Sequence, residues 1–248
     1  YPRSHPARWF HACANSLSSR FRRNGLQQNQ RRMQKATRES EKIIINGLQQ
    51  LNPSIPVISA GNTDIPYSER MNWSYLWLVD PLNEADNHLD DSADLTVNIA
   101  LIEGSKPVWG VVYNTLDDTV YYAKGASGSY KISGDNSPAK LARAEVPYER
   151  GSVVTVSGGS VIADDIRDYI DSRIVDCNLV FTGSSTALCM LAEGTAAMHI
   201  SLGSTCEWET AAGHAIARSS GCHAYNYGTS KELEYNKENL INDRFIAE

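Results

Sequence analysis

The acid-rich stretch DNHLDDSAD, residues 86–94, places Asp86, Asp90, Asp91 and Asp94 in one short segment. Carboxylates at this density are the hard oxygen ligands that calcium and magnesium take. The stretch has no glycine at its sixth position and no glutamate at its twelfth, so it reads as a solvated acidic loop and not as an EF-hand loop. Upstream, the apolar run YLWLV ends in Asp80-Pro81-Leu82, where an aspartate before proline also serves as a loop cap. Gly183-Ser184-Ser185 opens a helical stretch, a place where serine hydroxyls cap free N–H groups and where an anion is also favoured. Glu209 falls in the first turn of another helical stretch, favourable to the helix dipole with or without a metal. The six histidines do not pair usefully; His214, four positions before Arg218, is read like the others as exposed or hydrogen-bonded.

The elements that must position these residues follow from periodicity. Trp9, Phe10, Cys13, Leu17 and Phe21 recur at spacings of three and four, which predicts a helix near Pro6–Phe21. A second helix is predicted over Arg38–Leu51, with Ile44, Leu48 and Leu51 on one face and Asn52-Pro53 as its stop. The polar stretch LQQNQRRMQKAT between them shows no alternation and could lengthen that helix. From Val57 the runs IPVIS, YLWLVD, LTVNIALIE, PVWGVVYN, TVYYAK and GSYKI predict an antiparallel meander of at least four strands. The second half alternates strands (SVVTVS, NLVFTG, AAMHI, CHAYN) with helices over Val161–Ser172, Ser185–Ala192 and Glu207–Ser219, a pattern that argues for α/β layers.

Charge is unevenly spread. Every charged residue before Glu39 is basic, from Arg3 to Arg38, while the whole chain has a net charge of −6. Three readings of this arm stay open: an organelle transit segment, an arm that docks on an acidic partner, RNA or acidic lipid, and a helix with a solvated basic face. No aromatic-interleaved basic patch continues into the body, which disfavours a nucleic-acid enzyme. No apolar run approaches the roughly 18–20 residues of a membrane span. The five cysteines are odd in number and scattered, and read as free thiols in a reducing compartment.

YLWLVDPL, DLTVNIALIEGSKPVWGVVYNTLDDTVYYA and CEWETAAGHAIARSSG resemble the inositol monophosphatase superfamily, and within it the bacterial CysQ-type 3'(2'),5'-bisphosphate nucleotidases. SEKIIINGLQQLNPSIPVIS and the tail GTSKELEYNKENLINDRFIAE add to the likeness, which runs from about Ser40 to the end. It implies a layered α/β/α/β/α sandwich of the inositol monophosphatase and sugar phosphatase type, α+β in content. The first lobe (39–135, after an arm over 1–38) is expected to hold an antiparallel sheet. The second (150–248) is expected to hold a mixed one. The family hairpin that precedes the helix is expected to be shortened or helical here.

The resemblance also implies Mg²⁺-dependent hydrolysis of phosphate monoesters, with ligands from a Ser-Glu-Glu motif, an Asp-Pro-Leu-Asp-Gly-Thr loop and a Trp-Asp pair. Here these places read Ser59-Ala60-Gly61, Asp80-Pro81-Leu82-Asn83-Glu84-Ala85 and Trp208-Glu209. Asp80, the Leu82 carbonyl, Asn83 and Glu209 thus form a vestigial metal set, and Ala60 and Gly61 mark lost ligands. Thr37 stands where the family's Thr-Glu-Ala-Asp segment ends in an acid that positions water. Glu84 and Ala85 replace the phosphate-binding Gly-Thr pair, while Gly183, Ser184 and Ser185 keep the substrate-side core. The family's substrate-side Ser-Arg-Ser-His reads Ser157-Gly158-Gly159-Ser160 here. Ala187 stands for its usual Lys and Ile200-Ser201 for its Pro-Arg, so cations for a second phosphate are missing.

These losses lead to the expectation of a catalytically inactive relative, without cofactor, acting as a structural or regulatory subunit of a larger assembly. Its partners would dock on the basic arm and on the acidic loop from Asp86 to Asp94, in an organelle matrix such as the mitochondrial one, or else in the cytoplasm. One alternative is a Mg²⁺-dependent bisphosphate nucleotidase or phosphate monoester hydrolase of reduced or altered activity. Another is a phosphate or nucleotide sensor without turnover.

Overall fold

The computed structural model describes residues 26–85, 94–134, 136–143, 148–159 and 161–248. The expected helix near Pro6–Phe21, the arm before residue 26 and the acidic segment 86–93 lie outside them.

Helix α1 spans Leu26–Leu51, so the polar stretch before Arg38 does lengthen it, and no break falls at the expected boundary between arm and first lobe. Its apolar residues Ile44 and Leu48 lie against one face of a seven-stranded sheet. That sheet runs in sequence order: β1 (Val57–Ser59), β2 (Tyr75–Ala85), β3 (Asp94–Glu103), β4 (Lys106–Asn114), β5 (Thr119–Ala123), β6 (Ser129–Ser133) and β7 (Ala139–Leu141). A short helix α2, Tyr67–Arg70, follows β1. Neighbours from β2 to β7 are antiparallel, whereas the edge strand β1 pairs with β2 in parallel. Successive side chains of a strand face opposite ways, and the core follows that period. Trp77, Val79, Val97 and Ile99 meet α1, while Leu76, Leu78, Ala100 and Ile102 face the middle of the molecule.

The middle layer consists of α4 (Ser184–Glu193) and α5 (Glu207–Ser219). Beyond it lies a five-stranded mixed sheet in the order β12 (Ala224–Asn226), β14 (Phe245–Ala247), β10 (Met198–Ser201), β8 (Val153–Ser157) and β9 (Asn178–Phe181). Helix α3, Asp164–Asp171, covers its outer face with Ile166 and Ile170. A two-stranded pair, β11 (Thr205–Cys206) with β13 (Ile241–Asn242), leads into α5. The five layers are those expected from the resemblance.

Small residues set the spacing of the layers. A Cβ on Gly110 of β4 would stand 2.5 Å from the Ala212 carbonyl oxygen, and one on Gly213 would stand 2.9 Å from Leu188 Cβ. Helix α5 can therefore lie directly on the sheet and on α4, which brings its first turn to the end of β2. No described helix is long and apolar enough to cross a membrane.

Candidate active site

Asp80 ends the regular half of β2. It pairs with Asn98, but the next pair is Asn83 with Thr96, so one extra residue is accommodated around Pro81-Leu82. Bulges of this kind re-aim side chains and are frequent beside active sites. Ser40 of α1 donates its hydroxyl to the Pro81 carbonyl at 2.7 Å and pins the bulge from the other side. Asp80 is only 5% exposed. Burial, and then the neighbouring Glu209 carboxylate, push its pKa up to about 7, against hydrogen bonds from the Leu82 N–H and the Asn98 side chain.

Glu209 reaches this place from the first turn of α5. Its Oε1 accepts the Cys206 N–H at 3.2 Å, closing a capping box, and Ser185 donates to the Glu209 carbonyl at 2.7 Å. Burial raises its pKa, opposed by its hydrogen bonds with Cys206. Two carboxylates from distant parts of the chain, Asp80 buried and Glu209 half-buried, thus repel one another, an arrangement that is unfavourable without a proton or a cation between them.

The other sequence-identified residues are placed as follows. Ala60 is exposed and its N–H donates to the Val79 carbonyl at 3.1 Å, beside Asp80 on the neighbouring strand. A Cβ on Gly61 would lie 2.6 Å from Glu41 Oε1. Glu41, which points from α1 and accepts a hydrogen bond from the Ser59 hydroxyl, fills the space beside residue 61 and would have to swing aside for a side chain there. Thr37 lies inside α1 and donates back to the Met33 carbonyl at 2.9 Å. Asn83, Glu84 and Ala85 do not open a helix: they continue β2, paired with Thr96, Leu95 and Asp94. The expected phosphate cradle at 84–85 is therefore a strand here, because the bulge restores the ladder instead of ending it.

Gly183, Ser184 and Ser185 do stand at a helix start, the N-terminus of α4. A buried polar chain runs inward from them. Ser184 Oγ lies 2.8 Å from Ser157 Oγ, which lies 3.4 Å from His199 Nε2, and His199 Nδ1 meets the Thr155 carbonyl at 3.2 Å. Burial, opposed by that carbonyl, pushes the His199 pKa down to about 4, so the chain is uncharged at neutral pH. On the other side of Gly183, the carboxylate of Asp94 accepts its N–H at 2.9 Å and the Thr182 hydroxyl. Sequence reasoning gave no site role to Glu41 or His199, placed Ser157 at the start of the substrate-side segment, and placed Asp94 only in the acidic loop. No periodic signal links Asp94 to Gly183, which stand 89 positions apart.

A five-layer sandwich with an Asp-Pro-Leu bulge facing the first turn of a central helix defines a phosphatase fold class. The chain belongs to the inositol monophosphatase family, which it matches over residues 9–246. It is 35% identical over 205 residues to the 3'(2'),5'-bisphosphate nucleotidase CysQ of Salmonella typhimurium, covering 82% of this chain and 79% of that protein. The Buchnera aphidicola protein of the same name is 34% identical over 210 residues, covering 83% and 76%. Among solved structures, CysQ from Bacteroides thetaiotaomicron superposes with a TM-score of 0.78 at 30% identity, covering 96% of this chain and 92% of that one. A Staphylococcus aureus inositol monophosphatase with bound 2'-AMP shares the fold at a TM-score of 0.72 and 18% identity, covering 95% of this chain and 85% of that one.

This kinship corrects two expectations. An inactive subunit is not what relatives named as nucleotidases support, and a site without cofactor conflicts with a family that depends on Mg²⁺. Among the described residues no group of three or more His, Cys, Asp or Glu side chains is placed to hold an ion. Mg²⁺ does not require one: it commonly keeps several waters and binds through one or two carboxylates plus substrate phosphate. The Asp80–Glu209 pair fits that mode for a single ion, and the charge conflict that raises the Asp80 pKa is what a cation relieves.

Proposed function

We propose that this chain is a Mg²⁺-dependent phosphoric monoester hydrolase of the nucleotidase kind, with activity reduced and altered relative to members carrying the full ligand set. The observation that carries the reading is the Asp80–Glu209 pair, a buried and a half-buried carboxylate held at the β2 bulge and the first turn of α5. Asp80 and Glu209 would hold the ion, with the Leu82 carbonyl as a further oxygen donor. When bound, the ion would supply a polarised phosphoryl group and an activated water.

The chain's own residues supply positioning. Ser40 and Asn98 fix the Asp80 end of the site, the Cys206 cap fixes Glu209, and the α4 start with Ser184 faces the substrate side. Thr37 brings no carboxylate to orient water, and its hydroxyl is spent within α1. Loss of a general acid or base typically lowers rates about 10²–10⁴-fold, which accounts for the reduced activity proposed.

The test is phosphate release from adenosine 3',5'-bisphosphate and from the adenosine monophosphates, with Mg²⁺ and with EDTA, for the wild type and Asp80→Asn. The reading expects release that EDTA abolishes and that the substitution lowers by about 100-fold. Release indifferent to both changes, or no release from any substrate, would refute it.

A further inference from the structure

We propose that Asp94 is a specificity-determining residue: its carboxylate occupies the anion-receiving start of α4 and turns the site against substrates that carry a second phosphate. This inference rests on the phosphatase reading of the site. A helix start presents unpaired N–H groups and the positive end of the helix dipole, and it commonly receives phosphate. Here the first of those donors, the Gly183 N–H, is already taken at 2.9 Å by Asp94, which the Thr182 hydroxyl also engages. Asp94 is placed there by the fold. It is the first residue of β3, and its backbone is paired with Ala85 at the end of the bulged strand that carries Asp80. The carboxylate thus bridges the first sheet to the start of α4, where Ser185, two residues on, donates to the Glu209 carbonyl at 2.7 Å.

Three described positions near the α4 start offer a second phosphate no cation. Gly158 has φ of +75°, and a Cβ there would lie 2.8 Å from the Gly203 nitrogen, so no cationic side chain can stand at that position. Ala187 is fully buried where α4 meets its neighbours. Ser157, Ser184 and His199 form an uncharged chain of hydroxyls and a neutral ring. A phosphate dianion brought to this end would meet a like charge, whereas a hydroxyl can donate to Asp94. The substrate class that fits is a monoester with one phosphate, whose remaining part presents hydroxyl groups to Asp94 and Ser184.

The experiment compares adenosine 3',5'-bisphosphate with 3'-AMP on the wild-type protein, Asp94→Asn and Asp94→Ser. Both substitutions keep a side chain that can accept the Gly183 N–H, and thermal melting selects folded protein. Affinities from calorimetry and kcat/KM values are read separately, each as a bisphosphate-to-monophosphate ratio. The proposal expects the ratio to rise at least tenfold in both variants, because bisphosphate gains as the like charge is removed and 3'-AMP loses the carboxylate that accepts its hydroxyl. An unchanged ratio in folded variants would overturn it and leave Asp94 as a tie between sheets. If neither compound is hydrolysed by any of the proteins, the function proposed above fails, and the ratio of affinities still decides the role of Asp94.

Discussion

At the scale of single residues, the site is governed by charges held out of water. Asp80 is buried next to another carboxylate, so its ionised form is costly in the metal-free protein. Asp80→Asn should therefore melt at or above the wild type in EDTA at neutral pH. Mg²⁺ at ten times its wild-type Kd should add about 1.4 kcal/mol to the wild type and clearly less to the variant. Thermal melting with and without the ion measures both effects. His199 gives the pH dependence. Burial holds its folded pKa at about 4, below the ordinary value of 6.5, so its contribution is fully present above 6.5. As pH falls from 6.5 to 4 the unfolded chain takes up a proton that the buried ring refuses, and stability drops by up to about 3 kcal/mol. Urea unfolding at pH 7 and pH 5 should show a smaller difference for His199→Gln. Asp80 and Glu209 were legible in the sequence because short local motifs surround them. The Asp94–Gly183 bond and the Glu41 carboxylate beside Gly61 were not, since each joins segments that only the folded sheet brings together.

At the scale of elements, the helix that carries Glu209 is positioned by the absence of side chains beneath it. Gly110→Val would drive a branched side chain into the Ala212 carbonyl, 2.5 Å from where its Cβ must stand. Overpacking of this kind costs about 1–3 kcal/mol, and lifting α5 also moves Glu209 away from Asp80. We expect both a lower urea midpoint and a loss of Mg²⁺ binding in excess of the stability change. By contrast, Ile44→Ala on α1 should cost about 2–5 kcal/mol while leaving the Mg²⁺ affinity of the folded protein unchanged. Periodicity alone located α5 at the bounds observed, Glu207–Ser219, because its small and apolar residues repeat every three or four positions. It understated α1, whose first turns are polar on every side and carry no stripe to read. It missed β14, since the three residues Phe245–Ala247 are too few to show a period and gain strand structure only between β10 and β12.

At the scale of the whole molecule, the segment near Asn236 ties the first lobe to α5. Arg70, 3% exposed, donates to the Lys237 carbonyl at 2.6 Å, the Glu238 carbonyl at 2.7 Å and Asn236 Oδ1 at 3.0 Å. From the other side, buried Glu207 accepts the N–H groups of Asn236 and Lys237 and the Lys237 ammonium. Arg70→Ala removes a buried guanidinium and its hydrogen bonds to half-buried and exposed acceptors, and should destabilise the protein by about 2 kcal/mol in chemical denaturation. A change below 1 kcal/mol would show that water replaces the guanidinium freely. The layered architecture was legible from the order of strands and helices and from the family likeness. The clamp was not, because Arg70 and Asn236 stand 166 positions apart in ordinary polar sequence.

The central claim is that two carboxylates, Asp80 and Glu209, suffice to hold one catalytic Mg²⁺. The most direct measurement is the initial rate of phosphate release from 3'-AMP as a function of Mg²⁺ concentration, for the wild type, Asp80→Asn and Glu209→Gln. The account predicts a wild-type rate that rises from zero with the first power of Mg²⁺ and saturates, with a weakened Mg²⁺ dependence in each variant. A rate rising with the second power of Mg²⁺, or the same rate in all three proteins at every Mg²⁺ concentration, would contradict it.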